Sequence, residues 1–191
     1  MTDVFTVLGQ DHQEVKRMLA ELEKGPTSAT GASEDQLALR KKMAEELIIE
    51  ESKHEALEEM YFWPAVREYI QSGNTLADQA TEQEQAAKQV LTDLGKLQAG
   101  DAEFEKLMAK FIVDAREHIE FEETRVWPLM RTALPADKSA EIGEKIAEGK
   151  KTAPTRPHPH TPPSPGVLKA AGPVAAATDK ARDKITGRGQ D

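Results

Sequence analysis

Two segments of the chain carry the same set of chemically capable side chains. When the sequence is slid against itself by 64 residues, His54, Glu58, Glu59, Trp63 and Pro64 lie over His118, Glu122, Glu123, Trp127 and Pro128, a shared H-x3-E-E-x3-W-P pattern. A four-residue step returns to the same face of an α-helix. His54 and Glu58 therefore share a stripe with Leu47, Glu50 and Tyr61, and His118 and Glu122 share one with Phe111, Asp114 and Arg125. Both stripes start on apolar residues, which predicts that imidazole and carboxylate point into a core. A buried carboxylate with no partner costs several kcal/mol. Two inward His–Glu pairs facing each other call for a shared cation, and a divalent metal supplies it. The metal-free alternative, a hydrogen-bonded His–Glu pair in each helix, accounts more easily for one pair than for two.

A second alignment, at an offset of 72, sets His12 over Glu84, with stripes 8, 12, 15, 19, 22 and 80, 84, 87, 91, 94. One ligand would then come from each of two helices and two from each of the others. Glu50 and Asp114 match across the repeat one turn before each His, and Tyr61 and Arg125 match one turn after each Glu. Carboxylates so placed would accept the free imidazole N–H of a ligating His on a neighbouring helix; Tyr61 could reach an open coordination position, although Tyr61 and Arg125 read first as packing and salt-bridge residues.

The elements that must hold these groups are helical. Apolar residues recur at 3.6-type spacing and almost never alternate, so the fold class is all-α. The pattern predicts helices at about 3–23, 34–71, 76–97 and 101–132, then a short fifth helix from Pro135 to about Glu148. Lys24, Gly25 and Pro26 stop the first, and Ser33 with Gln36 has the form of a capping box that opens the second. Four long helices with short connections predict an up-down-up-down four-helix bundle. Pro64 and Pro128 each remove an intrahelical hydrogen bond and are expected to kink their helices.

Charge divides the chain of 191 residues near residue 150. Residues 1–149 hold 17 Lys/Arg and 31 Asp/Glu (net −14), whereas residues 150–191 hold 8 and 3 (net +5). All nine aromatic residues precede residue 128, and seven of the eleven prolines follow residue 153. Residues 1–150 are thus expected to form the bundle, and residues 151–191 a Pro/Ala-rich basic tail that is disordered. His158 and His160, in its proline-rich stretch, read as incidental, and the tail's partner is unknown. With no Cys, disulfides, thiolate-ligated zinc, iron–sulfur clusters and a cysteine nucleophile are excluded. Neither a basic leader nor an 18-residue apolar run is present, so no membrane is expected and a cytoplasmic location is the default. The acidic bundle argues against nucleic acid as a partner.

With these residues in place, the chain resembles the hemerythrin-like family, also called the HHE cation-binding domain. The matching features are His12 early in the first helix, His54, Glu58 and Pro64 on the second, and His118 then Glu122 on the fourth. The resemblance implies a non-haem cofactor of two iron ions, oxo- or hydroxo-bridged, with the two acids as bridges and the histidines as terminal ligands. One departure stands out. The family places a pair of histidines on the third helix, but residues 55–117 contain none, and Glu84 takes the available position.

Three histidines with three carboxylates resemble the carboxylate di-iron proteins that activate oxygen or consume peroxide more than a His-rich oxygen carrier. The function expected is reaction with a small molecule, most concretely catalase-like breakdown of hydrogen peroxide. The alternative is a module that binds or senses dioxygen, nitric oxide or iron without turnover. Sequence leaves iron, manganese and zinc open, since His and carboxylate accept all three.

Overall fold

The computed structural model describes residues 3–162 and 165–189; residues 1, 2, 163, 164, 190 and 191, which belong to the expected bundle and tail, lie outside the described residues. Among the described residues every regular element is helical. Helix α1 (Val4–Lys24) opens where the Thr6 amide donates to Asp3 Oδ1 at 2.9 Å and stops at Gly25. Helix α2 (Glu34–Leu57) opens on a reciprocal capping box: the Ser33 amide donates to Gln36 Oε1 at 2.9 Å and the Gln36 amide to Ser33 Oγ at 3.3 Å. A π turn, Glu58–Phe62, carries α2 into α3 (Trp63–Tyr69). After α4 (Gly73–Lys96) and α5 (Ala102–Phe121), a second π turn, Glu122–Val126, leads into α6 (Trp127–Ala133). Helices α7 (Ala136–Gly149) and α8 (Pro165–Thr186) follow. The α3–α4 junction is tight: a Cβ on Gly73 would stand 2.0 Å from the Val66 carbonyl oxygen, so only glycine fits.

The π turns follow from the prolines. Pro64 and Pro128 have no N–H, so the regular ladder cannot run through them. Instead the Trp63 amide donates to the Glu58 carbonyl five residues back, and the Trp127 amide to that of Glu122. The additional residue in each turn advances the helical phase, so Phe62 and Trp63, like Val126 and Trp127, are all buried.

Helix α1 packs on α2 and α5, α4 packs on the same two, and α7 lies along α1. This ring encloses two apolar clusters. One contains Phe5, Leu8, Phe62, Trp63, Val126 and Trp127 with Ile142 and Ile146 of α7. The other contains Leu19, Leu47, Leu91, Phe104 and Phe111. Along α1, His12 falls between Leu8 of the first cluster and Val15 of the second; along α4, Glu84 falls between Ala80 and Leu91. A polar layer thus separates two dry ones.

The expectation of a disordered tail is corrected. Residues 165–186 form α8, which buries Leu168, Gly172, Ala176, Asp179 and Asp183 at helical spacing and packs against the Glu58–Phe62 turn. The Ala-rich sequence favours helix, and the preceding segment supplies polar anchors. Asp179 Oδ2 accepts from the Arg156 amide at 3.2 Å and lies 2.9 Å from His158 Nε2. Asp183 accepts from the Arg156 guanidinium at 2.6 Å and from Thr155 Oγ1 at 2.5 Å. His158 is therefore not incidental; it is half of an anchor. No helix among the described residues is long and apolar enough to cross a membrane.

Candidate metal centre

The polar layer brings all six expected ligands together. His12, His54, Glu58 and Glu122 offer ligand atoms within 4.8 Å of one another, and so do Glu58, Glu84, His118 and Glu122. Glu58 and Glu122 belong to both groups. Each His–Glu pair is one helical turn apart, with His54 Nε2 3.2 Å from Glu58 Oε2 and His118 Nε2 3.3 Å from Glu122 Oε1. From α1, His12 Nε2 reaches Glu122 Oε2 at 3.1 Å. Glu84 Oε1, on α4, is 4.0 Å from His118 Nε2.

The fit to a cation shows in what these atoms lack. Nε2 of all three histidines, both oxygens of Glu58 and Glu122, and Oε2 of Glu84 are buried without a hydrogen-bond partner. Native interiors leave only a few such atoms per hundred residues, and here eight of them gather in one layer. Hard carboxylate oxygens and imidazole nitrogens converging from four helices form a donor set suited to first-row divalent ions.

Each histidine turns its other nitrogen to a neighbouring helix. Nδ1 of His12 is 3.0 Å from Glu123 Oε1, Nδ1 of His54 is 3.5 Å from Asp11 Oδ2, and Nδ1 of His118 is 2.9 Å from Gln83 Oε1. These are the supports sequence reasoning assigned to Glu50 and Asp114. The structure instead pairs Glu50 with Lys53 and Asp114 with Lys110, both carboxylates half-exposed. Tyr61 packs against the first apolar cluster and Arg125 is exposed. The signal that was available is adjacency: Asp11, Gln83 and Glu123 each neighbour a site residue in sequence, and Asp11 lies over Gln83 at the offset of 72.

The repeat extends to charge. Lys16 Nζ is 2.8 Å from Glu123 Oε1 and Lys88 Nζ is 2.6 Å from Glu59 Oε1, at matching places in the two halves. The two tryptophans differ. Trp127 lies flat on His12, centroids 4.9 Å apart and planes 12° apart, whereas the Trp63 indole N–H donates to Glu84 Oε1. Three further carboxylates, Glu51, Glu55 and Glu59, are buried along α2 and its π turn.

Proton affinities follow from this crowding. Burial pushes Glu58 well above the usual carboxylate range, and Glu122 and Glu84 push it further; burial and Glu59 do the same to Glu84. Burial also opposes ionisation of Glu122, but His118 and His12 overcome it and hold that carboxyl below its ordinary value. On His118 burial opposes charge, yet Glu122 and Glu84 outweigh it and push the imidazole up to about 9. His54 is likewise raised, because Asp11 and Glu122 outweigh its burial. A cavity of about 200 Å³ adjoins the centre, lined by His12, His54, Glu84 and His118 together with Glu51 and Glu55, and it also reaches the exposed Lys110 and Glu117.

Comparison with known proteins places the fold and the family. The chain is similar, at 21% identity and a TM-score of 0.63, to the crystal structure of a hemerythrin HHE cation binding domain-containing protein from Mycobacterium kansasii, over 79% of this chain and 86% of that one; the likeness bears on the fold. No curated protein matches. The family model for the hemerythrin HHE cation binding domain matches residues 3–130, and the chain belongs to that family.

Proposed function

We propose that this chain is an up-down-up-down bundle, bounded near residue 150, that holds two non-haem iron ions and breaks down hydrogen peroxide. His12, His54, Glu58 and Glu122 would hold one ion, and Glu58, Glu84, His118 and Glu122 the other, with Glu58 and Glu122 shared. The observation that carries this reading is the convergence, from all six residues, of buried ligand atoms that make no hydrogen bond and face one another. Bound there, a redox-active metal pair supplies the two-electron exchange by which two peroxides become one dioxygen and two waters.

The protein's own contribution is placement. Glu123 and Gln83 hydrogen-bond Nδ1 of His12 and His118, and the Asp11 carboxylate faces Nδ1 of His54 at ion-pair distance, leaving Nε2 of each free to ligate. The two apolar clusters keep bulk water from the layer on both sides, and the cavity beside His12, His54 and His118 admits a small molecule. The test is metal content with oxygen evolution. Two irons per chain and oxygen release from added peroxide are expected; iron-loaded protein that releases none would sink the enzymatic reading.

A second reading is favoured by the packing of α8 on the turn that carries Glu58. In it, occupancy by iron, dioxygen or nitric oxide is sensed and passed to the tail. Protease sensitivity of α8 that changes on iron loading, with no turnover, would select this reading.

A further inference from the structure

We infer that Trp63 is a positioning residue for Glu84: its indole N–H engages one carboxylate oxygen so that the other alone is presented to the centre. The inference rests on the two-ion reading above. Trp63 and Glu84 are each about 1% exposed, so water does not compete for the bond. Glu84 Oε2, the oxygen Trp63 leaves alone, is buried with no hydrogen-bond partner, and Glu84 is one of the residues whose carboxylates converge with His118.

The repeat supplies an internal control. His12 and Glu84 match in the two halves, and so do Trp127 and Trp63. Where the ligand candidate is an imidazole, the tryptophan stacks on its ring, and Trp127 Nε1 is buried with no hydrogen-bond partner. Where it is a carboxylate, the indole donates to it. Packing alone therefore does not require a bond at this place; the bond accompanies the exchange of His for Glu.

The chemical reason lies in the two groups. An imidazole offers the centre a single atom in a direction fixed by its ring. A carboxylate can offer one oxygen or both, and its side chain carries an additional rotatable bond. A donor locked onto one oxygen removes that freedom, so Glu84 acts as a one-atom ligand in the manner of His12. The π turn makes this possible, because the residue it inserts brings Trp63 inward beside Phe62.

Cobalt(II) titration of the full chain tests the proposal, with visible absorption reporting coordination number. Trp63→Phe should still bind two ions, but one about 10- to 100-fold more weakly, with a weaker absorption band as Glu84 supplies both oxygens. In a Glu84→Ala background, Trp63→Phe should add no further loss. An equal loss in both backgrounds, or a Trp63→Phe chain indistinguishable from the parent, overturns the positioning role and leaves the two-ion reading standing. A parent chain that binds fewer than two cobalt ions overturns both. A measurement on the unaltered side chain covers poor folding of Trp63→Phe: in zinc-loaded parent protein, the Trp63 indole proton should be shifted downfield and protected from exchange. The Trp127→Phe variant assigns the signal, and an unshifted, rapidly exchanging Trp63 proton overturns the proposal.

Discussion

Asp11 and His54 face each other across the seam between α1 and α2, with Oδ2 3.5 Å from Nδ1. The same aspartate pairs with Lys150 just past the end of α7, so one carboxylate ties the expected ligand on α2 to the residue that follows the last bundle helix. Its acidity is set accordingly: burial would raise it, but His54 and Lys150 hold it below the ordinary aspartate value. Asp11→Asn keeps the shape and removes the charge. The ion proposed for His12, His54, Glu58 and Glu122 should bind about 10- to 100-fold more weakly, while the other is little changed. Competition with a coloured chelator measures both constants, and parental affinity at both sites would refute the support role.

The convergence of the six expected residues was legible because a duplicated His-x3-Glu pattern on apolar stripes leaves few places for the side chains to point. Their supports were not. Glu50 and Asp114 are expected from their spacing to reach a histidine of a neighbouring helix, but they pair with Lys53 and Lys110 of their own helices, and the groups beside Nδ1 of the three histidines are Asp11, Gln83 and Glu123. The π turns escaped notice for a related reason: Pro64 and Pro128 announce a break in the ladder but not which carbonyl will absorb it. Composition also misled at the tail, where alanine and proline conceal a stripe whose anchoring residues, Asp179 and Asp183, find their partners more than twenty residues upstream.

Sharing of Glu58 and Glu122 between the two groups separates the effects of three similar substitutions. Glu58→Gln and Glu122→Gln should each lower metal content to less than one ion per chain, since both groups lose an anionic ligand. Glu84→Gln should leave about one ion, because only the group with His118 contains it. Elemental analysis of the purified variants decides. If Glu84→Gln loses both ions, or Glu58→Gln keeps both, the assignment of shared and unshared ligands is wrong.

Metal binding should release protons and become more favourable as pH rises. Without metal, Glu58 and Glu84 have pKa values raised well above 4.5, and His118 is raised to about 9. A raised folded-state pKa means stability that is complete below the unfolded value and is lost as pH climbs through the folded one. Metal-free protein therefore loses the Glu58 and Glu84 contributions as pH rises from about 4.5, and loses that of His118 approaching pH 9. A bound cation reverses the sign, because it requires the deprotonated ligands. The gap in Tm between zinc-loaded and metal-free protein should widen from about pH 6 to about pH 8. A gap that is constant or narrows over that range would contradict the protonated state assigned to the empty centre.

The anchor on α8 gives a prediction about the tail that does not involve metal. Asp179 is fully buried and takes the Arg156 amide and His158 Nε2 on one oxygen, while its other oxygen has no hydrogen-bond partner. Asp179→Ala would leave the part-buried Arg156 amide and His158 imidazole without their acceptor, a loss of about 1 kcal/mol per hydrogen bond. Among the described residues, the buried apolar residues of α8 apart from Leu168 are the small Gly172 and Ala176, so the polar anchors at Asp179 and Asp183 carry much of its attachment. Hydrogen exchange should therefore quicken across residues 165–186, while the amides of α1, α4 and α5 and the metal content stay as in the parent. Asp179→Asn, which retains an acceptor oxygen, should lie between the two. If exchange in α8 is as fast in the parent as in Asp179→Ala, the anchor does not hold the helix; if the bundle amides quicken with it, α8 is part of the bundle's cooperative unit and not a separable cover.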